Sequence, residues 1–295
     1  MAENKLPWQS KLVLLAVLPF AGTEVVLDGD KWASQAPPVA IWTIGLSALL
    51  GLVTWKLRAA TPAAAVTGAL ITASLMFSTT VLPYTPWHTA LVPTLAVAVL
   101  AYAATRAGRR QKERRGTAEG RKGRSASQVA ANLGFAALIV SGPAQSWLFD
   151  ARWLPHSLTG GQMPAFPWTL AIAALAEAAA DTVSSEIGQV LGGRPRLITS
   201  LKSVDPGRNG AISLVGTSAG IVAAAVVAAA GTWAFTGDLK LFWVSMAGAV
   251  FGLFFDSLLG ATLESRSLLN NDAVNFLSTT SASGFALLLL CLMPH

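Results

Sequence analysis

Long runs of apolar and small residues, broken by short clusters of charge, set the pattern of this chain. A helix that rises about 1.5 Å per residue needs about 20 mostly apolar residues to cross the hydrocarbon of a bilayer. Runs of that kind occur at 12–27, 38–57, 61–82, 86–105, 128–148, 167–190, 211–235, 240–263 and 272–292. They predict an all-α fold, a polytopic transmembrane bundle of about nine spans. No period-2 alternation is long enough to suggest a barrel. The first run has the look of a signal-peptide core. Against that, Glu24 lies inside it, and Asp28, Asp30 and Lys31 follow without a small-residue cleavage site. It is read as a first span. Pro62 opens the third run, where a helix has no use for the missing N–H.

Composition agrees with this pattern. The chain has 295 residues, 53% hydrophobic and 12% charged, where soluble domains carry about 25% charged residues. Its mean hydropathy is +0.54. No room remains for a large soluble domain, and nothing points to nucleic acid as a partner. The net charge of +6 comes from clusters. These are Lys5 with Lys11, Lys56 with Arg58, the stretch 106–124, Arg194 to Arg208, and Arg266. Basic clusters mark the cytoplasmic side. Each neighbouring pair is separated by an even number of the runs above, so all can lie inside, with the N-terminus cytoplasmic. The expected cytoplasmic loops are 106–127, 191–210 and 264–272, and 150–166 is an expected outer loop. Trp32, Trp87, Trp147, Trp153, Trp168, Trp233 and Trp243 fall near expected outer boundaries, where amphipathic rings settle. The loop 106–127 reads either as a topology signal alone or as one that also attracts anionic headgroups or nucleotide phosphates. We divide the chain into N-terminal transmembrane helices (1–60) and a catalytic membrane domain (61–295). Cys291 is the sole cysteine, so no internal disulfide or thiolate metal site can form. His88, His156 and His295 have no ligand-like spacing.

Acids inside these runs need a reason. A carboxylate near the bilayer centre costs roughly 2.5–3.5 kcal/mol on insertion scales. The sixth run closes with Asp181-Thr-Val-Ser-Ser-Glu186-Ile-Gly188. Residues four apart share a helix face, so Glu177, Asp181, Ser184, Ser185 and Gly188 form one polar and small stripe. Glu186 points about 140° away from Asp181. It joins the stripe only if the helix opens near Gly188, ahead of Gly192-Gly193-Arg194-Pro195. The eighth run repeats Gly248, Gly252, Asp256, Gly260 and Glu264 every four positions, a seam that lets another backbone pack closely. Between them, Arg196, Lys202 and Pro206-Gly207-Arg208-Asn209-Gly210 lead to Ser213. Glycines and a helix start let backbone N–H groups approach an anion, and Lys202 and Arg208 supply countercharge. The Walker A pattern is absent. Asn270, Asn271, Asp272 and Asn275 add oxygens at the start of the ninth run.

Hard oxygen ligands without His or Cys suit Mg²⁺, which takes one or two carboxylates beside substrate phosphates. The expectation is a magnesium–nucleotide site at the cytoplasmic surface, with Asp181, Glu186 and Asp256 on the metal. Interhelical hydrogen bonds and a plain packing seam are the bland readings. A transporter's carboxylate cluster is the functional rival.

Three blocks in order carry a resemblance. Asp181-Thr-x-x-Ser-Glu-x-Gly, Pro206-Gly-x-Asn-Gly-Ala-x-Ser213 and Phe255-Asp-Ser-Leu-Leu-Gly-Ala-Thr262 resemble the family called domain of unknown function ninety-two, or transmembrane-protein-nineteen-like. Gly123-Arg124-x-x-x-Gln128-Val-x-Ala-Asn132 is similar to that family's segment after its basic loop. The likeness covers about residues 56–290. Plant members are phytyl-phosphate kinases of tocopherol synthesis. The resemblance therefore implies transfer of a phosphoryl group from a nucleoside triphosphate to a prenyl monophosphate lipid, giving the diphosphate. A fainter likeness joins Asp181-x-x-Ser-x-x-x-Gly188-x-x-x-Gly192 and Pro206-Gly-x-x-Gly210 to CTP-dependent polyprenol kinases and CDP-lipid synthases. It favours CTP by analogy. Asn209 stands where those families carry His, and no Asp-Arg-x-Asp follows Gly210, which counts against cytidylyl transfer.

The expected roles follow. Asp181, Glu186, Asp256 and Lys202 are catalytic. Ser185, Gly188, Arg196, Pro206, Gly207, Arg208, Asn209, Gly210, Ser213, Asn132, Asn271 and Asn275 bind nucleotide or phosphate. The rival activities are a CDP-lipid synthase and a transporter or flippase of a lipid phosphate.

Overall fold

A computed structural model describes residues 7–116, 123–150, 154, 158, 165–235 and 237–293. The elements run α1 (Trp8–Gln35), α2 (Pro37–Lys56), α3 (Pro62–Ser78), a 3-10 turn (Pro86–His88), α4 (Leu91–Arg106), α5 (Arg109–Arg115), α6 (Ala126–Val140) and α7 (Gly142–Asp150). They continue with α8 (Ala165–Leu191), a two-stranded hairpin of β1 (Arg196–Leu197) and β2 (Ala211–Ile212), α9 (Leu214–Phe235), α10 (Leu239–Leu259) and α11 (Asn271–Leu292). A π turn, Gly260–Glu264, prolongs α10. This is a helical membrane protein.

All nine apolar runs contain helix. Among the described residues five helices are long and apolar enough to cross a bilayer: α1, α2, α9, α10 with its π turn, and α11. A sixth appears if α4 and α5, bent by 62° at their junction, count as one. α3 and α6 are shorter, at 17 and 15 residues. The run 128–148 breaks at Ser141, whose extended backbone ends α6 before Gly142 and Pro143 start α7. Glu24, the acid inside the first run, accepts a hydrogen bond from the Gly142 N–H at 3.1 Å and so caps α7. The expected outer loop 150–166 lies mostly outside the described residues.

α8 is the axis of the bundle, packed by α4, α6, α9, α10 and α11. From Phe166 to Ala180 every residue is buried. A helix sheathed by other helices meets no lipid, which is why it can carry Glu177 and Asp181. Trp168 is part of this core, 5% exposed, with its ring 4.9 Å from that of Phe235. It is not the interfacial ring its sequence position suggested. Small residues set the crossings. A Cβ on Gly220 of α9 would stand 2.7 Å from the Ala180 carbonyl oxygen, and one on Gly252 of α10 would stand 2.5 Å from Glu177 Cγ. The expected seam on α10 is thus a contact with α8 and α11.

The basic helix α5 docks on the C-terminal end of α8. Gly108, at φ +59°, turns the chain there, and a Cβ on it would strike Val190 at 2.6 Å. Lys112 is 1% exposed. Its Nζ donates to the carbonyls of Ala104 and Thr105, both at 3.0 Å, and to Glu186 Oε2 at 2.5 Å. Gln111 donates to the Val190 carbonyl at 3.2 Å, and Arg115 to that of Gln189. Cationic groups at a helix C-terminus are favourable.

Candidate active site

Asp181 on α8 and Asp256 on α10 line the same cavity and lie in each other's field. Gly252, one turn before Asp256, lets α10 approach Glu177 of α8 closely. One turn deeper on α8, Glu177 is 1% exposed and also neighbours Asp256 and Ser278 of α11. Among the described residues, Glu177 Oε1 and Asp256 Oδ2 are buried without a hydrogen-bond partner. Buried oxygens are normally satisfied, so the acid pair has spare ligating capacity.

The hairpin and its loop close over these acids. β1 and β2 pair antiparallel, Arg196 with Ile212 and Leu197 with Ala211. Gly207 and Gly210 take φ of +90° and +72°. At Gly210 the need for glycine is double, because a Cβ would also lie 2.4 Å from Ala261. The loop therefore rests on the π turn of α10, the kind of helix irregularity that gathers at functional sites. Ser213 caps α9 by accepting the Gly216 N–H at 3.1 Å. Its hydroxyl faces Gly188 and Gly192 at the end of α8.

These parts enclose one cavity of about 220 Å³, lined by Asp181, Ser185, Gly188, the stretch 206–211, Ser213, Asp256, Glu264 and Asn271. A wider cleft of about 600 Å³ adjoins it, sharing Asp181, Ser185 and Asn271 and adding Arg124, Asn132, Glu186, Asp272 and Asn275. Most expected site residues thus meet around Asp181.

Three expectations change. The metal set of Asp181, Glu186 and Asp256 is not gathered: among the described residues no three acidic, His or Cys side chains are placed to hold an ion together. Glu186 is instead engaged by Lys112, with Thr105 Oγ1 donating to it at 3.3 Å. Lys202 and Arg196 line neither cavity and are exposed in the hairpin. The Lys202 carbonyl accepts from Leu197 N–H at 2.9 Å, so its position there is a turn contact. Asp272 is tied to the first helix, accepting from Ser10 Oγ at 2.6 Å. Asn132 accepts from Asn275 Nδ2 at 3.4 Å, which pins two of the expected asparagines to each other.

Two residues outside the expected set belong to the site. Glu177 was legible as the next member of the Asp181 stripe. Arg124 stood in the block after the basic loop, but its charge was counted only as a topology signal. Its backbone pairs with the chain before α3: Arg124 N–H donates to Ala59 O at 2.9 Å, and Thr61 N–H to Arg124 O at 3.0 Å. Gly123, at φ +80°, permits this, since a Cβ would lie 2.5 Å from the Ala59 carbonyl carbon. The guanidinium then reaches Thr182 Oγ1 at 3.3 Å and lies in the field of Asp181.

The model of the integral membrane protein family DUF92 matches residues 45–283. The chain belongs to that family. An uncharacterized membrane protein of Methanocaldococcus jannaschii is 38% identical over 128 residues, 43% of this chain and 53% of that protein. The chloroplast protein VTE6 of Arabidopsis thaliana is 30% identical over 204 residues, 65% of this chain and 55% of VTE6. An uncharacterized membrane protein of Synechocystis is 29% identical over 206 residues, 64% of this chain and 71% of its own length. The chain thus spans about half the length of the first two relatives. No solved structure matches it.

The donor chemistry of the cavity fits Mg²⁺. Asp181 and Asp256 supply the one or two carboxylates that this ion takes beside phosphate oxygens.

Proposed function

We propose that this protein is a membrane kinase that converts a prenyl monophosphate to its diphosphate with a nucleoside triphosphate, CTP in preference, and Mg²⁺. The observation that carries the reading is the Asp181–Asp256 pair facing the Gly207–Gly210 backbone inside one cavity. The family resemblance, which implies a phytyl-phosphate kinase among its plant members, supports the lipid phosphate as acceptor, and the similarity to a chloroplast protein accords with it.

Phosphoryl transfer needs positioning and charge neutralisation more than covalent chemistry from the protein. Bound magnesium would neutralise charge on the triphosphate and on the phosphoryl group in flight. Asp181 and Asp256 would hold it, with the unpartnered Asp256 Oδ2 as a ready donor. The N–H groups of the Gly207–Gly210 loop and the Arg208 side chain bind phosphate oxygens. Arg124 receives the acceptor's phosphate next to Asp181. Asn271, where the two cavities join, orients polar groups. An oxygen of the prenyl monophosphate attacks the terminal phosphorus, the bond to the nucleoside diphosphate breaks, and that diphosphate leaves. The attacking oxygen is already ionised at neutral pH, so no side chain is needed as a base. The reaction side is proposed to be cytoplasmic, from the basic loops.

The test is turnover of purified protein with Mg²⁺, a terminally labelled triphosphate and a prenyl monophosphate. We expect label in the prenyl product and a fall of about 10²-fold or more in kcat for Asp181→Asn, with folded protein retained. A product carrying the nucleotide would reassign the chain as a CDP-lipid synthase. Wild-type turnover by the variant would remove Asp181 from the mechanism.

A further inference from the structure

A third cavity opens between α2, α3, α4 and α6, with Ala178 of α8 at its back. Its walls are small or apolar: Gly51, Ala64, Gly68, Ala98, Ala101 and Leu133 among them. Its mouth carries Arg58, Arg106, Arg109 and Arg124. Arg106 donates to the Leu57 carbonyl at 2.9 Å, and Arg109 pairs with Glu113 at 3.0 Å. Both heads are therefore anchored at the rim by α2 and α5. Arg124 and Asn132 belong to this cavity and also to the polar cleft that contains Asp181. An apolar groove with a cationic mouth opening on a phosphate site is complementary to one shape of ligand, a single apolar chain with an anionic head.

We propose that this groove seats the tail of the prenyl phosphate and measures its length. The inference rests on the kinase reading above for the identity of the head, and extends it to the tail. The wall from Thr94 to Arg106 on α4 runs about 18 Å, and that from Ala64 to Thr72 on α3 about 12 Å, at 1.5 Å per residue. Leu50, Thr72 and Thr94 form the floor. Thr72 and Thr94 are 0% and 2% exposed, so the groove ends there in packed protein. An extended chain advances roughly 1.3 Å per bond, given carbon–carbon bonds of about 1.5 Å. The groove therefore takes a main chain of about fourteen carbons, three to four isoprene units. Gly68 lies about 12 Å in, at a depth of roughly two units. A Cβ there would meet nothing closer than Val129 Cγ1 at 3.6 Å, so a larger side chain can enter the groove without striking backbone.

The experiment is equilibrium binding of tritiated prenyl monophosphates of two and of four isoprene units to the purified full chain, without nucleotide. Wild type should prefer the longer ligand by about tenfold or more, since each buried methylene contributes about 0.8 kcal/mol. Gly68→Leu, and Ala98→Phe from the opposite wall, should each lower that ratio at least about tenfold. Equal weakening for both lengths in both variants, or an unchanged ratio, overturns the proposal. So does displacement of the lipid by inorganic phosphate at the same concentration as by unlabelled prenyl phosphate, which would assign binding to the head alone. Because no triphosphate is present, a kinase assay that fails leaves the length ladder standing. A missing ladder leaves the Asp181 reading standing.

Discussion

Asp181 and Asp256 lie 75 positions apart in the sequence yet line one cavity. Groups that act as a unit give non-additive losses. We therefore expect Asp256→Asn to lower kcat about as much as Asp181→Asn, and the double variant to lose no more than about tenfold beyond either. Single-turnover kinetics would read this, and fully multiplicative losses would argue for separate roles. Glu186 belongs to a different unit. Removing one member of a buried ion pair costs about 3–5 kcal/mol. Lys112→Ala should approach that range, because it leaves Glu186 uncompensated, while the double variant Lys112→Met with Glu186→Leu should recover most of the stability. Unfolding in detergent measures both. The acids of the stripe were legible one by one, because a carboxylate in an apolar run needs a partner. What each acid pairs with was not: Lys112 reaches Glu186 across 74 positions, and no periodicity announces it.

Helix crossings at glycine hold the site at its working dimensions. Gly252→Val would drive α10 off Glu177, since even a Cβ stands 2.5 Å from that side chain. Overpacking of this kind costs typically about 1–3 kcal/mol, and the separation of Asp256 from Asp181 should lower activity more than stability. Gly210→Ala combines a left-handed φ of +72° with a Cβ 2.4 Å from Ala261, and should lift the hairpin loop from the π turn. A raised KM for the triphosphate, with an unfolding midpoint little changed, is the expected outcome. An unchanged KM would separate the loop from phosphate binding. The four-residue spacing of Gly248, Gly252 and Gly260 was readable as a seam. The break of the run 128–148 into α6 and α7 was less so. Gly142 and Pro143 marked it, but the Glu24 cap that completes it comes from the first helix.

At the scale of the whole molecule the charge clusters make a prediction about sidedness. In a Cys291→Ser background, Lys202→Cys should react with a membrane-impermeant maleimide only from the cytoplasmic side, and Leu239→Cys only from the other. Reaction of both from one side would overturn the assigned orientation. The linear order of residues determined the helical membrane fold, the candidate acids on two helices, the glycine loop between them and the family itself. The family follows from the resemblance of its three blocks, and the rest from local rules: hydropathy over about 20 residues, a period of 3.6, and glycine where φ must be positive. Tertiary structure alone decided the rest. It chose which acids meet and sent Glu186 to Lys112, left Lys202 on an exposed turn, brought Arg124 to Asp181 and hollowed the groove beneath four arginines. The physical reason is that helix propensity and hydropathy are properties of neighbours in the chain. A cavity, or a carboxylate pair, is made by side chains from separate helices whose distance is fixed only when those helices pack.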